Sequence, residues 1–206
     1  MTKILYKDKY IVVCVKPKGI LSEGEGKESL PALLSESLSE GGTPARIYTV
    51  HRLDRDTEGV MVYARNEKAA AILSEAIASH KIEKEYIATV CGRPEEASGR
   101  MEDLLFYDRQ RGKSFVVDRE RKGVKKATLS YELIEYDSES NTSRIRVMLE
   151  TGRTHQIRVQ FAARGMPLVA DRRYGAPASE ITTPSLIARR LAFDHPKTKE
   201  RMEFVL

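Results

Sequence analysis

The run Tyr10–Lys16 (YIVVCVK) constrains the fold more than any other segment, because β-branched side chains crowd a helical turn but pack well on a pleated surface. A polar turn at Lys7–Lys9 separates it from an apolar stretch at 3–6, and Pro17 to Gly19 end it, so a hairpin opens the fold. Strand-like runs recur at 45–50 (ARIYTV), 60–64 (VMVYA) and 84–92 (KEYIATVCG), and near 113–118, 124–136, 142–150 and 186–193. Helical spacing is confined to three places. Ser29 can cap Leu30, Ala32, Leu33 and Leu34, with Pro31 tolerated in the first turn and Gly41-Gly42 beyond the end. Asn66 can cap a helix whose apolar face holds Ala69, Ala70, Ile72, Leu73, Ala76 and Ile77, and a third helix is expected over about 154–164. Long strands with two or three helices between them predict an α+β domain around a largely antiparallel sheet.

A chain of 206 residues, without an internal repeat or linker-like stretch, reads as one domain. Its 41% hydrophobic and 32% charged residues exclude collagenous, low-complexity and wholly disordered classes. No apolar run approaches the roughly 18–20 residues of a membrane span, and no h-region follows Met1-Thr2-Lys3, so the expected compartment is the cytoplasm. Cys14 and Cys91 lie inside apolar runs and form no CxxC, which predicts buried thiols. His51, His80, His155 and His195 have no i, i+4 partner, so no metal site is expected. The stretch Gly24 to Ser29 lacks the glycine spacing and the Ser or Thr of a phosphate loop. The Asn141-Thr142-Ser143 sequon reads as a turn.

The net charge of +5 says less than its placement. Residues 109–126 hold eight bases (Arg109, Arg111, Lys113, Arg119, Arg121, Lys122, Lys125, Lys126) against Asp118 and Glu120, a local +6. Within it Arg119, Arg121, Lys122, Lys125 and Lys126 are candidate contacts to a polyanion such as nucleic acid, a solvated charged face being the plainer alternative. Between Glu23 and Glu40, five glutamates against one lysine would repel a polyanion.

Two polar clusters could carry chemistry. HRLDRDTEG concentrates His51, Arg52, Asp54, Arg55, Asp56 and Glu58 between two apolar strands, where loops on rigid elements favour catalysis. Thr151 to Arg158 (TGRTHQIR) follows the strand RIRVMLE and opens a helix on which Ile157 and Phe161 share the core-facing side. Arg158 borders that side, and an arginine near a core calls for a carboxylate, whose two oxygens match the guanidinium fork. Solvent or Glu150 would also serve it.

These residues resemble a known family. HRLD-R-DTEGV, KEY at 84–86, TGRTHQIR, ADRRYG at 170–175 and the C-terminal LAFDHPKT are similar to the RluA-type pseudouridine synthases, in the same order and over nearly the whole chain from ILYKDKYIVVCVKPKG onward. The resemblance implies a pseudouridine synthase fold, with 1–206 a single catalytic domain lacking a separate N-terminal RNA-binding domain. It implies isomerisation of uridine in structured ribosomal or transfer RNA, without metal, nucleotide or other cofactor, by a protein expected to be a monomer. By the same resemblance Asp54 is the catalytic aspartate, Arg158 the arginine that pairs with it and Tyr86 the ring on which the target base stacks. Arg52 displaces the base from the RNA stack, and His51, Leu53, Arg153, His155 and Ile157 complete the substrate-binding set. Ala170 stands where the family usually has glycine, and Ile187 where it usually has histidine.

The reaction breaks the bond from ribose C1′ to uracil N1, turns the base and joins C5 to C1′. It asks for an ionised carboxylate, a pocket that retains the free base and a way to extract the nucleotide. Attack on C1′, addition to the base and removal of a sugar proton all call for the same carboxylate. A glycosidase or metal-dependent nuclease using Asp54, Asp56 and Glu58 is a second reading, disfavoured by the interleaved Arg52 and Arg55. A non-catalytic RNA-binding module is a third, and leaves the Asp54 and Arg158 clusters without a purpose.

Overall fold

The structure is a computed structural model that describes residues 2–24, 26–39 and 41–206, so Glu25 and Glu40 of the acidic stretch lie outside the described residues. The chain divides into two compact units, one formed by Met1–Lys84 with Ala188–Leu206, the other by Glu85–Ile187. Among the described residues the first unit contains β1 (Lys3–Lys7), β2 (Ile11–Lys16), α1 (Leu30–Ser37), β3 (Tyr48–Thr49), β4 (Glu58–Ala64) and α2 (Glu67–Ala78). The second contains β5 (Glu83–Cys91, with its first two residues in the first unit), β6 (Ser98–Asp108), β7 (Lys113–Val117), β8 (Val124–Asp137), β9 (Thr142–Leu149) and α3 (Gln156–Ala162). Strand β10 (Leu186–Asp194) leads the chain back into the first unit, which β11 (Arg201–Val205) completes. This is the α+β class with a large, mostly antiparallel sheet that the strand periodicity predicts. Among the described residues no helix is long and apolar enough to cross a membrane.

In the first unit the strand order is β1-β2-β4-β10, with β3 on β4 and β11 on β10. The β-branched run makes β2 a central strand: Ile11, Val12, Val13 and Cys14 are all buried, which requires cover on both faces. Val13 lies opposite Val62 and Cys14 opposite Met61. On one face Ile11, Val13, Val60, Val62 and Ala64 pack with Ala69 and Leu73 of α2 and with Leu191 and Phe193 of β10. The Asn66 cap forms as the sequence predicts, its side chain accepting from the Ala69 N–H at 2.9 Å, and Ser29 caps α1. Gly59 is indispensable here. Its φ is +146°, and a Cβ would lie 2.3 Å from the Ala188 carbonyl oxygen.

In the second unit the antiparallel order is β5-β9-β8-β6-β7. Leu105 of β6 and Ala127 of β8 pack under Val159 of α3 and Tyr174. Ile157 and Phe161 are both buried, as their spacing predicts.

The differences from the sequence reading have local causes. Only Tyr48–Thr49 of 45–50 is strand, because Ala45 exchanges hydrogen bonds with Ser35 at the end of α1 and leaves the ladder. The third helix starts at Gln156 because His155 is left-handed, with φ 54°. Strand β6 carries no clean alternation in the sequence, because Glu102 and Asp103 interrupt its apolar residues, whereas β11 alternates from Arg201 to Phe204 but is only five residues long. Cys14 is buried, which pushes its thiol up to about 12, but Cys91 is only half-buried at the end of β5, correcting the expectation of two buried thiols.

The β1–β2 turn depends on one carboxylate. Asp8 Oδ1 accepts from the N–H groups of Tyr10 and Ile11 at 2.7 and 2.8 Å. Its Oδ2 lies 2.9 Å from His195 Nε2. Because His195 Nδ1 accepts from the Thr198 N–H at 3.0 Å, Nε2 carries the proton and donates to Asp8. Burial opposes ionisation of Asp8, yet the two backbone donors and His195 outweigh it and hold the carboxyl below its ordinary range. A depressed carboxyl stabilises the fold above its unfolded-state pKa, and that contribution disappears as pH falls through the folded-state value. Asp8→Ala is therefore expected to cost about 1–2 kcal/mol at neutral pH in urea unfolding. The gap to the wild type should narrow in acid, and a gap independent of pH would contradict the assignment.

Candidate active site

The first polar cluster is a loop, 51–57, anchored on both sides of Asp54. Before it, the Leu53 N–H donates to Ser22 Oγ at 3.2 Å and Ser22 Oγ donates to the Leu53 carbonyl at 2.8 Å. Tyr63 of β4 fixes Ser22 in turn, its hydroxyl donating to the Ser22 carbonyl at 2.8 Å. After Asp54, the Arg55 carbonyl accepts from the Gly19 N–H at 2.9 Å and from Lys16 Nζ at 2.8 Å. The Thr57 N–H closes the turn on the Asp54 carbonyl at 3.1 Å. The half-buried Asp54 side chain thus stands on a backbone with little freedom.

Lys16 is the residue that the sequence reading missed here. It ends β2 with 0% of its surface exposed, and Nζ also donates to the carbonyls of Pro17 at 2.9 Å and Ile20 at 2.7 Å. Burial pushes its ammonium down to about 8, opposed by the charges of Asp56, Asp54 and Glu58. The three carbonyls require all three ammonium protons, so the cage is satisfied by the charged form. A lysine closing an otherwise apolar strand was the available signal.

His51 Nε2 accepts from the Val62 N–H at 3.1 Å. Burial, and then the charge of Lys84, hold this ring well below its ordinary pKa, so it is neutral with its proton on Nδ1. Leu53 is buried, whereas Arg52 is exposed and pairs with Glu23 at 2.8 Å. The acidic stretch thereby supplies a partner to the loop, in a contact that solvent screens strongly.

The second cluster lies in the other unit. Arg158, on α3, is buried and forms a fork with Asp171, Nε to Oδ2 at 2.6 Å and Nη2 to Oδ1 at 2.9 Å. Asp171, 1% exposed, was not singled out in the sequence, although ADRRYG contains the buried carboxylate that a buried arginine calls for. Glu150, the other acid considered, holds Arg100 at 2.9 Å through both oxygens. The Arg158 guanidinium sits 5.2 Å from the centre of the Tyr174 ring. The Tyr174 hydroxyl accepts from the Ser114 N–H at 2.8 Å and lies 2.9 Å from His155 Nδ1. Burial pushes that hydroxyl up to about 12, so Tyr174 stays neutral.

Gln156 secures the entry to α3, its Oε1 accepting from Thr151 Oγ1 at 2.8 Å and from the Arg153 N–H at 3.0 Å. Arg153 Nε donates to the Lys126 carbonyl at 2.8 Å. Ile157 is buried beside Arg158, and Tyr86 is buried on β5. Arg119, Arg121, Lys122, Lys125 and Lys126 are all exposed around the β7–β8 turn and the start of β8. Lys126 is engaged by Glu102 at 2.6 Å.

The profile of RNA pseudouridylate synthases matches residues 10–163. The chain belongs to that family. It is 33% identical over 207 residues to the dual-specificity RNA pseudouridine synthase RluA of Escherichia coli K12, covering 98% of this chain and 90% of that one. It is 31% identical over 204 residues to the RNA pseudouridine synthase YjbO of Bacillus subtilis 168, covering 98% and 70%. The solved structure of human RNA pseudouridylate synthase domain containing 4 shares the fold, with a TM-score of 0.79 over 99% of this chain and 87% of that one, at 23% identity. The chain is an RNA pseudouridine synthase, an isomerase.

Ala170 stands where the resemblance leads to the expectation of glycine. Its φ is 66°, so the backbone keeps a left-handed conformation suited to glycine while the side chain is alanine. Such a conformation costs an L residue roughly 1–2 kcal/mol, part of which a glycine would lose again to chain entropy. Ala170→Gly is expected to raise stability by about 0.5–1 kcal/mol, read as a higher midpoint in urea; an unchanged or lower midpoint would show that the left-handed backbone carries no strain. Lys16→Met would leave the carbonyls of Pro17, Ile20 and Arg55 without their donor. It should cost about 3 kcal/mol or more and lower turnover further than the lost stability explains, measured at a temperature where the variant remains folded.

Proposed function

We propose that Asp54 is the catalytic carboxylate, that Arg158 is its cationic partner, and that Tyr86 offers the face on which the extracted uracil stacks. Arg52 displaces the base, and His51, Leu53, Arg153, His155 and Ile157 shape the substrate-binding surroundings. Membership of the family carries this reading, together with the match of HRLD-R-DTEGV, KEY and TGRTHQIR to the family's motifs. The anchoring of the loop at Leu53 and Arg55 supports it, since a catalytic group must be held in place before substrate arrives. The N1–C1′ bond breaks, C5–C1′ forms, and the C5 proton is replaced by one at N1, so the reaction is redox-neutral and needs no co-reactant. A ring supplies stacking of order 1–3 kcal/mol to a base held by nothing covalent.

Residues 1–206 act as one catalytic domain, since the family match includes parts of both units. The protein works as a monomer in the cytoplasm on ribosomal or transfer RNA. The name of the Escherichia coli relative, a dual-specificity enzyme, supports more than one RNA target. Phosphates are met by Arg119, Arg121, Lys122, Lys125 and Lys126, in keeping with the local excess of positive charge. Asp54→Asn keeps the side-chain size and removes the charge, so it should abolish isomerisation in a tritium-release assay while RNA affinity stays within about two-fold. Asp56→Asn should retain most activity. Equal loss in both variants would mean that the wrong carboxylate has been chosen. Mapping pseudouridines in a strain without the protein identifies the target RNA.

A further inference from the structure

The β6–β7 end of the second unit carries a feature that phosphate contacts alone do not use. Phe106 of β6 lies directly opposite Phe115 of β7, and Phe106 also opposes Val124 of β8. Side chains alternate across a pleat, so these rings share one face, and Leu105, Val116 and Lys125 lie on the other. Leu105 belongs to the face on which Val159 of α3 and Tyr174 pack. The phenylalanines are therefore turned away from that core, and both remain half-buried.

Cations cover the two rings. The Arg121 guanidinium sits 4.9 Å from the centre of Phe106. Arg111 sits 5.8 Å from the centre of Phe115, and Lys113 lies at the edge of the sheet, 5.6 Å from the centre of Phe115 and 4.8 Å from that of Tyr174. Asp108 engages Arg111 at 3.6 Å and Glu102 engages Lys126, but among the described residues Lys113 and Arg121 are in no ion pair. A Cβ at Gly123 would lie 3.4 Å from the Phe106 ring edge, so the β7–β8 turn lies against that edge and Arg121 is the side chain it lays over the ring. A hydrophobic protein partner would be poorly matched by this many unpaired cations. A polyanion with flat, apolar faces matches both components.

We propose that the Phe106–Phe115 face is a stacking platform for an unpaired nucleotide of the RNA substrate, distinct from the uridine that is modified, with Arg121 and Lys113 taking the flanking phosphates. The inference rests on the reading of the protein as an RNA-modifying enzyme and adds a second contact to it. Aromatic rings on an exposed sheet face receive bases without hydrogen-bond matching, so this contact contributes affinity for single-stranded segments irrespective of their sequence. Guanidinium groups over the rings can swing to phosphate when a base takes their place, because a solvated cation at the protein surface is held only weakly over a ring.

The chain has no tryptophan, so Phe115→Trp introduces a single indole on the platform, excited selectively at wavelengths the nine tyrosines do not absorb. Its emission should be quenched when the full-length protein binds a short oligouridylate, and quenched much less by the same oligonucleotide with an abasic site at each position. Phe115→Leu should weaken oligouridylate binding on the order of 5- to 100-fold with an unchanged salt slope. Arg121→Ser should instead make the log-log salt dependence shallower by up to about 0.7. Thermal melts of each variant report whether the fold is intact, and turnover of Phe115→Leu on saturating folded RNA reports whether the active centre is. Salt-dependent binding without quenching, or equal quenching by the abasic oligonucleotide, overturns the platform while leaving the RNA-modifying reading in place. Absence of RNA binding and of isomerisation in the wild-type protein would overturn that reading and the platform with it.

Discussion

The buried ammonium of Lys16 is the contact on which the Asp54 loop depends. It sits at the end of a strand covered on both faces and collects three carbonyls, from Pro17, Ile20 and Arg55, around one nitrogen. Only an ammonium presents three donors that radiate from a single atom; the planar fork of an arginine could not close the same cage. Because Arg55 follows Asp54 in the chain, the cage fixes the backbone beside the carboxylate without touching the carboxylate's oxygens. Ser22 does the same from the other side through Leu53, and is itself fixed by Tyr63 from within the sheet. A half-buried acid can then be both accessible and held, since the order comes from the backbone on either side of it.

Arginines of two kinds result. Arg158 is buried, forked to Asp171 and laid against Tyr174, so its position is over-determined by contacts that are costly to break. Arg52 is exposed and shares its charge with Glu23, an exposed pair worth at most about 1 kcal/mol. Under the proposed roles the difference is functional. A cation that conditions a carboxylate must be stationary, whereas a side chain that enters an RNA stack has to leave its resting partner at little cost.

The parts of this arrangement that were legible in the sequence are those with a local signature. The β-branched run predicts β2, Ser29 and Asn66 predict their helices, and HRLDRDTEG and TGRTHQIR stand out because charge is concentrated beside apolar strands. Strand β6 has no such signature, since Glu102 and Asp103 stand side by side and break the period, and β11 is too short at five residues for its alternation to stand out. Lys16, Ser22 and Asp171 were missed for a different reason. Two of them bind backbone carbonyls, which every residue possesses, so nothing in the partner's identity marks the pairing; Lys16 and Arg55 are 39 residues apart, Ser22 and Leu53 31. Asp171 has a distinctive partner, but the residues around Arg158 pointed to Glu150 and the resemblance to Asp54, and nothing local marked Asp171 as a further carboxylate for it.

Two of the five non-glycine residues with positive φ among the described residues flank the fork between Arg158 and Asp171. His155, three residues before Arg158, has φ 54°, and Ala170, immediately before Asp171, has φ 66°. Both partners of the buried ion pair are thus delivered by a residue in a conformation that L side chains rarely adopt. Such conformations persist only where surrounding contacts over-determine them. The contacts here can be named: His155 meets the Tyr174 hydroxyl, Tyr174 meets the Ser114 backbone and the Arg158 guanidinium, and Asp171 completes the ring through its carboxylate. A pair of opposite charges in a poorly solvated place gains most when its geometry is close to ideal, and two sharp backbone turns are what bring a short helix and the segment after it into the fork. The strain at His155 and Ala170 and the alignment of Arg158 with Asp171 are then two sides of one balance. A glycine at 170 would lower the first while allowing the chain more ways to lose the second.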